Sequence, residues 1–408
     1  MRVGVIGAGL GGLLTGAALL KGGHDVEVFE KLSYPGGRFT NLEYKGYQLS
    51  TGALHMIPHG TGGPLSEMLH SLNTDVDIIA SEPIGLFRVA GEDYTFTEVS
   101  ELLPAKEKLR LGAVLALMKV SSGDGRNFEE WLRGKIHHPL VYQVVDSFGI
   151  WMLSLRARQV PSREYIAIGK AIVRHGGPGV PSGGCKGVTD ALVEVIEGKG
   201  GIISYKSKVD GIMGKDGAVK GIKVRGRGRE FDVVISDIGP RATARLLGDG
   251  NNHRFEHVAE VAGIKISVAC DRPMLGHTGV LFTPQAQRIG GLNEVTNADP
   301  DLAPEGKHLL MSHQAWDPSR DVREETRIGV KDLHTIFPDF DDHCEVLMVQ
   351  SYKGEWPVNR APSGTHLECT GPIKGLFYVG DAVKPEGFME TEGIAAGVGE
   401  VLKKIEGL

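Results

Sequence analysis

An α/β fold is predicted by three features of the chain. A short apolar strand, Val3 to Ile6, runs into the turn Gly7-Ala8-Gly9-Leu10-Gly11-Gly12 and then into an apolar helix with small residues at Gly16, Ala17 and Ala18. A second strand, Val26 to Phe29, delivers an acid, Glu30, at its carboxyl end. Near the end of the chain an apolar strand closes on Gly380-Asp381 and leads through a loop to another helix. Strand, glycine turn, helix and strand in that order form a Rossmann-like dinucleotide-binding unit.

The glycines have separate duties. Gly7 permits the tight strand-to-helix turn, Gly9 lets backbone approach a pyrophosphate, and Gly12 lets helix and strand pack closely. The first amides of the helix, at Leu10 and Gly11, are those that face the phosphates in such a unit. Gly22-Gly23 ends the helix. Glu30 stands where a carboxylate binds ribose hydroxyls, which favours an unphosphorylated ribose over a 2′-phosphate. Lys31 follows it and is grouped with the same contacts.

After Glu30 a nicotinamide domain would continue into another helix and strand. Here Tyr34-Pro35-Gly36-Gly37-Arg38 follows almost at once. Read alone, the Gly-Gly pair also fits a surface turn with a solvated arginine. With this loop, the chain resembles the flavin amine oxidase and phytoene desaturase superfamily. The resemblance implies a GR2-type FAD-binding domain with a discontinuous α+β substrate-binding domain. It also implies that the Gly37-Arg38 loop folds back onto the FAD pyrophosphate and that the arginine supports it.

Composition sets outer limits. At 408 residues the chain is long enough for two domains around a large core. With 51 acidic against 45 basic side chains, it offers no electrostatic argument for nucleic acid. The cysteines Cys185, Cys270, Cys344 and Cys369 show no CxxC spacing, so neither a zinc site nor a disulfide framework is expected. The acidic run Asp339 to His343 lacks the glycine and distal glutamate of a calcium loop, and no metal site is expected there. The first strand begins too early for a signal peptide and no apolar run is long enough to span a membrane, so a soluble, cytoplasmic protein is expected. Oligomeric state is not legible.

Residues 1–82, 179–245 and 366–408 are expected to form the FAD-binding domain, with 83–178 and 246–365 forming the substrate domain. In the first segment, Tyr47 to His59 follows the Gly-Gly-Arg loop at the distance where the superfamily passes beside the flavin. The resemblance therefore makes His55, Met56 and His59 substrate-side candidates, against the plainer reading of a loop with partly exposed histidines. From about residue 83 helical periodicity takes over, with helices expected over Leu102 to Val120, Phe128 to Leu132 and Leu140 to Leu155, and Pro161 as a break. The apolar stretch Leu109 to Met118 fits a lipid tunnel or a peripheral membrane contact, although such helices are more often core.

A meander of strands is expected over Ile202 to Val209, Ala218 to Val224 and Phe231 to Ile235. In the superfamily a valine on the first of these touches adenine with its backbone, and Val209 takes the matching place. Gly263 to Val268 reads as a strand with Lys265 on one face. Many flavin amine oxidases carry a lysine on the corresponding strand that holds a water against flavin N5, which makes Lys265 the catalytic candidate. A lysine in an alternating strand is otherwise solvent-facing.

The resemblance assigns Gly380 and Asp381 to the ribityl chain or pyrophosphate region. It also assigns the helix from about Gly393 to Leu402, through Gly393 and Ile394, to the flavin N1/C2 carbonyl, where a helix dipole stabilises negative charge. Glu392-Gly393 is one residue out of step with the family's motif. The implied function is hydride transfer from an apolar, isoprenoid or carotenoid-like small molecule to flavin N5. Two alternatives stay open: an amine oxidase using oxygen, which gains from Lys265, and a non-catalytic prenyl-binding escort protein of the GDP dissociation inhibitor type, against which Arg38 and Asp381 both speak.

Overall fold

The computed structural model describes residues 1–248, 255 and 258–407. Residues 249–254, 256, 257 and 408, which fall within the expected ranges 246–365 and 366–408, lie outside the described residues.

Five strands form a parallel sheet in the order Leu376–Tyr378, Val233–Ser236, Arg2–Ile6, Asp25–Phe29 and Ile202–Ser204. Their side chains are apolar on both faces: helices bury Val3, Val5, Val28 and Ile235 on one, and a small antiparallel sheet packs against Phe29, Val234 and Leu376 on the other. The first helix, Leu10–Lys21, packs between Gly184–Gly198 and the C-terminal helix Glu390–Glu406. Its small residues allow this, since a Cβ on Gly16 would already touch Val26, Val28 and Ile196. The starts of the first and the last helix thus both reach the carboxyl edge of the sheet, where such folds bind ligands.

The meander departs from expectation. Ile202 to Val209 is two strands, because Lys206 turns the chain at φ +51°. Ile202–Ser204 joins the parallel sheet, and Val209–Lys215 opens a three-stranded antiparallel sheet with Ala218–Val224 and Arg227–Glu230. Its two turns carry positive φ at Asp216-Gly217 and Arg225-Gly226, the geometry that matches strand twist in two-residue hairpins. Phe231 to Ile235 is correspondingly shifted, and Val233–Ser236 lies in the parallel sheet.

A second, seven-stranded mixed sheet runs Cys344–Tyr352, Gly263–Cys270, His308–Ala315, Ile289–Glu294, Val280–Phe282, Gly85–Val89 and Glu92–Tyr94. Cys270 and Cys344 pair across it with their sulfurs 3.2 Å apart, a proximity invisible in the sequence. Helices Phe128–Arg133, Pro139–Leu153 and Ser162–His175 build the apolar layer beside it. Pro161 does interrupt the chain, but a helix starts directly after it, where its fixed φ is compatible with helix entry.

The expected helix Leu102 to Val120 begins only at Ala105, after Pro104, and a separate short helix, Phe96–Glu101, precedes it. The longer helix is not core. Val114 is its one buried residue, while Leu109 and Val120 are 78% and 82% exposed. Among the described residues no helix is long and apolar enough to cross a membrane, and no three metal-ligating side chains form a cluster.

Candidate dinucleotide and substrate site

The glycine turn holds its shape through close backbone contacts. Gly7 has φ +97° and its N–H donates to Phe29 O at 2.8 Å, so strand one leaves the sheet sharply. A Cβ on Gly12 would overlap the carbonyl oxygen of Gly7. Gly12 is therefore a packing glycine behind the turn, whereas Gly7, Gly9, Leu10 and Gly11 line a cavity of about 470 Å³.

Glu30 secures the other side of the turn. Its Oε2 accepts from Ala8 N and its Oε1 from Leu32 N, both at 2.8 Å, which fixes the carboxylate at the cavity wall beside Lys31. Val209 lies at the same end. The Gly-Gly-Arg loop folds back onto the turn as a Gly36 N to Ala8 O bond of 2.7 Å, with φ +91° and +56° at Gly36 and Gly37. Gly37 and Arg38 both line the cavity.

Arg38 is anchored by Pro357 O at 2.7 Å and Val358 O at 2.9 Å, and pairs with Asp381 at 2.9 Å. Asp381 also accepts from Arg360 N at 2.8 Å and from its guanidinium at 3.2 Å. Burial works to raise the Asp381 carboxyl, yet Arg38 and Arg360 hold it below its ordinary value. Gly380 and Asp381 face the cavity between these arginines.

At the C-terminal helix the assignment shifts. The helix begins at Glu390, and Gly393 N–H is already bonded to Met389 O at 2.9 Å, so Gly393 offers no free amide and does not line the cavity. Glu390, Thr391 and Ile394 do. Glu390 is held at φ +44°, accepts from Asn359 at 2.9 Å and is raised by burial. Thr391 Oγ1 is buried at the cavity wall and has no partner among the described residues. Glu392, the motif acid, instead points away and caps His59 N and Leu65 N at 3.1 and 2.8 Å.

Three expected side chains are not brought to the cavity. His55 is fully buried with Nε2 2.9 Å from Gln48 O, and burial together with the nearby Lys265 lowers its pKa to about 3. His59 is buried with its ring tilted against His175 and edge-on to Phe388. Lys265 is wholly buried and spends all three donors within the protein: on Ser50 O at 2.6 Å, Ser50 Oγ at 2.7 Å and Gly52 O at 2.7 Å. Burial pushes its pKa down to about 7. Its ammonium lies behind the cavity wall and positions Gly52, which is part of that wall. Met56, by contrast, lines the cavity with Leu54, Trp151 and Met152, forming an apolar end.

Sequence reasoning missed Asp237, Asn359, Arg360, Glu390 and the aromatic Trp151. Asp237 had a signal, since it closes the apolar strand run Val233–Ser236 next to strand one. The rest lie in loops or helices whose facing is set only by packing.

A parallel sheet with a glycine cradle, a buried acid after the second strand and an ion-paired wall defines a Rossmann-type dinucleotide-binding fold. A family model, the NAD(P)-binding Rossmann-like domain, matches residues 5–72. An uncharacterised protein of Methanocaldococcus jannaschii is 42% identical over 100% of both chains. The crystal structure of an oxidoreductase from Methanosarcina mazei is 42% identical, covers 99% of this chain and 100% of that one, and superposes with a TM-score of 0.95. A zeta-carotene-forming phytoene desaturase of Myxococcus xanthus is 25% identical across 97% of this chain and 92% of its own. The chain belongs to the phytoene desaturase and amine oxidase superfamily of Rossmann-like oxidoreductases.

Proposed function

We propose that the protein is an FAD-dependent dehydrogenase that desaturates an apolar, isoprenoid-like small molecule. The observation that carries this reading is the single cavity joining the glycine cradle to an apolar end at Leu54, Met56, Trp151 and Met152. The donor set fits FAD: a cradle that side chains would fill, an acid at the ribose position, and the orphan Thr391 Oγ1 beside a helix start. When bound, FAD supplies the hydride acceptor.

The chain's own residues bind and orient. Gly9 and Gly11 would receive the pyrophosphate, Glu30 the ribose hydroxyls, Val209 the adenine through its backbone, and Arg38 with Asp381 the central region. The apolar end would exclude water and receive a substrate without charge. The location of Lys265 behind the wall removes the feature that favoured an amine oxidase in the sequence.

The test is the visible spectrum of the purified protein, with extraction of bound chromophore and a trial of added FAD. A two-band flavin spectrum from released FAD is expected, followed by anaerobic bleaching with polyenes and none with amines. A colourless protein that takes up no FAD would overturn the assignment.

A further inference from the structure

Asp237 extends from the end of Val233–Ser236, and its N–H donates to Ile6 O at 2.9 Å, which ties it to the strand that opens into the glycine turn. Its carboxyl projects into that turn. A Cβ on Gly9 would overlap Asp237 Oδ2, one on Gly11 would stand 2.8 Å from Oδ1, and one on Gly380 2.6 Å from the same atom. Three glycines from two parts of the chain thus enclose one acidic group, and Gly12 N–H bonds to it.

This is the amide-rich start of the first helix, where the fold seats an anionic pyrophosphate. A carboxylate in the same cradle would repel it. The charged side chains that face Asp237 are Arg38 from the Gly-Gly-Arg loop, Arg360 from the loop after Val358, and Asp381 after the last strand. Both arginines are engaged by Asp381, so the neighbourhood does not offer Asp237 a cation of its own. The first helix contributes only backbone amides.

We propose that Asp237 is a proton-linked binding residue of the dinucleotide site: the cofactor is held with Asp237 as the carboxylic acid, and one proton is taken up from solvent for each carboxylate neutralised. The acid form removes the like charge and gives an O–H that donates to a phosphoryl oxygen. Burial pushes the Asp237 carboxyl up to about 7, against the opposing pull of Gly12 N–H and the two arginines, which puts its titration at neutral pH. The inference rests on the dinucleotide reading above.

The experiment titrates FAD into the full-length chain freed of cofactor, from pH 6 to pH 9, by flavin fluorescence and by calorimetry in buffers of different ionisation enthalpy. The dissociation constant is expected to rise about tenfold per pH unit above neutral, with proton uptake approaching one per FAD at the alkaline end. Asp237→Asn is expected to bind with a flat pH profile, with no proton uptake and more tightly than the parent at pH 9. Wild-type binding that is pH-independent and takes up no proton would overturn the proposal, a result that needs no variant. Weaker binding by Asp237→Asn at every pH would also overturn it, by making the carboxylate a helix cap. Failure of the wild type to bind FAD at any pH would instead count against the cofactor reading itself, and with it this inference.

Discussion

The guanidinium of Arg38 lies 2.9 Å from the carboxylate of Asp381, joining the loop after the second strand to the turn after the last one. Both side chains are largely buried, and each closes one side of the cavity. Replacing Arg38 by Met leaves Asp381 with Arg360 as its one ion-pair partner, supported only by the charge of Lys384, and two backbone carbonyls without their donor. The expected cost is about 3 kcal/mol of stability with loss of bound flavin, read by thermal unfolding and by absorbance of the purified variant.

Gly12→Ala sets a methyl group against the Gly7 carbonyl. Neither side is a flexible side chain, so the turn must open. Destabilisation of about 1–3 kcal/mol is expected, together with weaker FAD retention than the parent. Unchanged retention would mean that the turn relaxes without moving its amides.

Lys265→Met removes three hydrogen bonds from a buried site and should cost about 1–3 kcal/mol. The native pKa of about 7 lies below the ordinary 10.5, so between these values the unfolded chain binds the extra proton and stability rises with pH. Denaturant unfolding at pH 7 and pH 10 should show that rise in the parent and not in the variant. Flavin reoxidation per bound flavin should be unchanged; a slowed rate would place the ammonium at the reaction centre.

Glu392 titrates in the opposite sense. Burial raises it to about 7 from 4.5, against the pull of Leu65 and His59 N–H, so the native state keeps a proton that the unfolded chain has released. Its contribution to stability is full below about 4.5 and fades as pH rises through about 7. Glu392→Gln should flatten this part of the profile, measured as melting temperature between pH 5 and pH 8.

On the helix Ala105–Val120, the contrast between Val114 and Leu109 can be measured directly. Val114→Ala should cost about 1–3 kcal/mol, because it empties a buried site. Leu109→Ser should stay within about 0.5 kcal/mol. Equal losses at both positions would mean that Leu109 is covered in solution.

Local physics determined much of this protein within the sequence. The turn at Gly7 to Gly12, the acid after strand two, the Gly36-Gly37 reversal and the Gly380-Asp381 ending each follow from what neighbouring residues permit the backbone to do, and each can be read without knowing what packs on it. The tertiary structure decided what distant segments do to one another. Lys265 reads as an alternating strand residue until Ser50 and Gly52 are folded against it, and His55 reads as a loop histidine until burial strips it of solvent. The apolar helix at Leu109 reads as core because periodicity reports which faces are apolar, not whether another element covers them. Asp237 reads as the end of a strand, and only the convergence of Gly9, Gly11 and Gly380 around its carboxyl places it in the cradle.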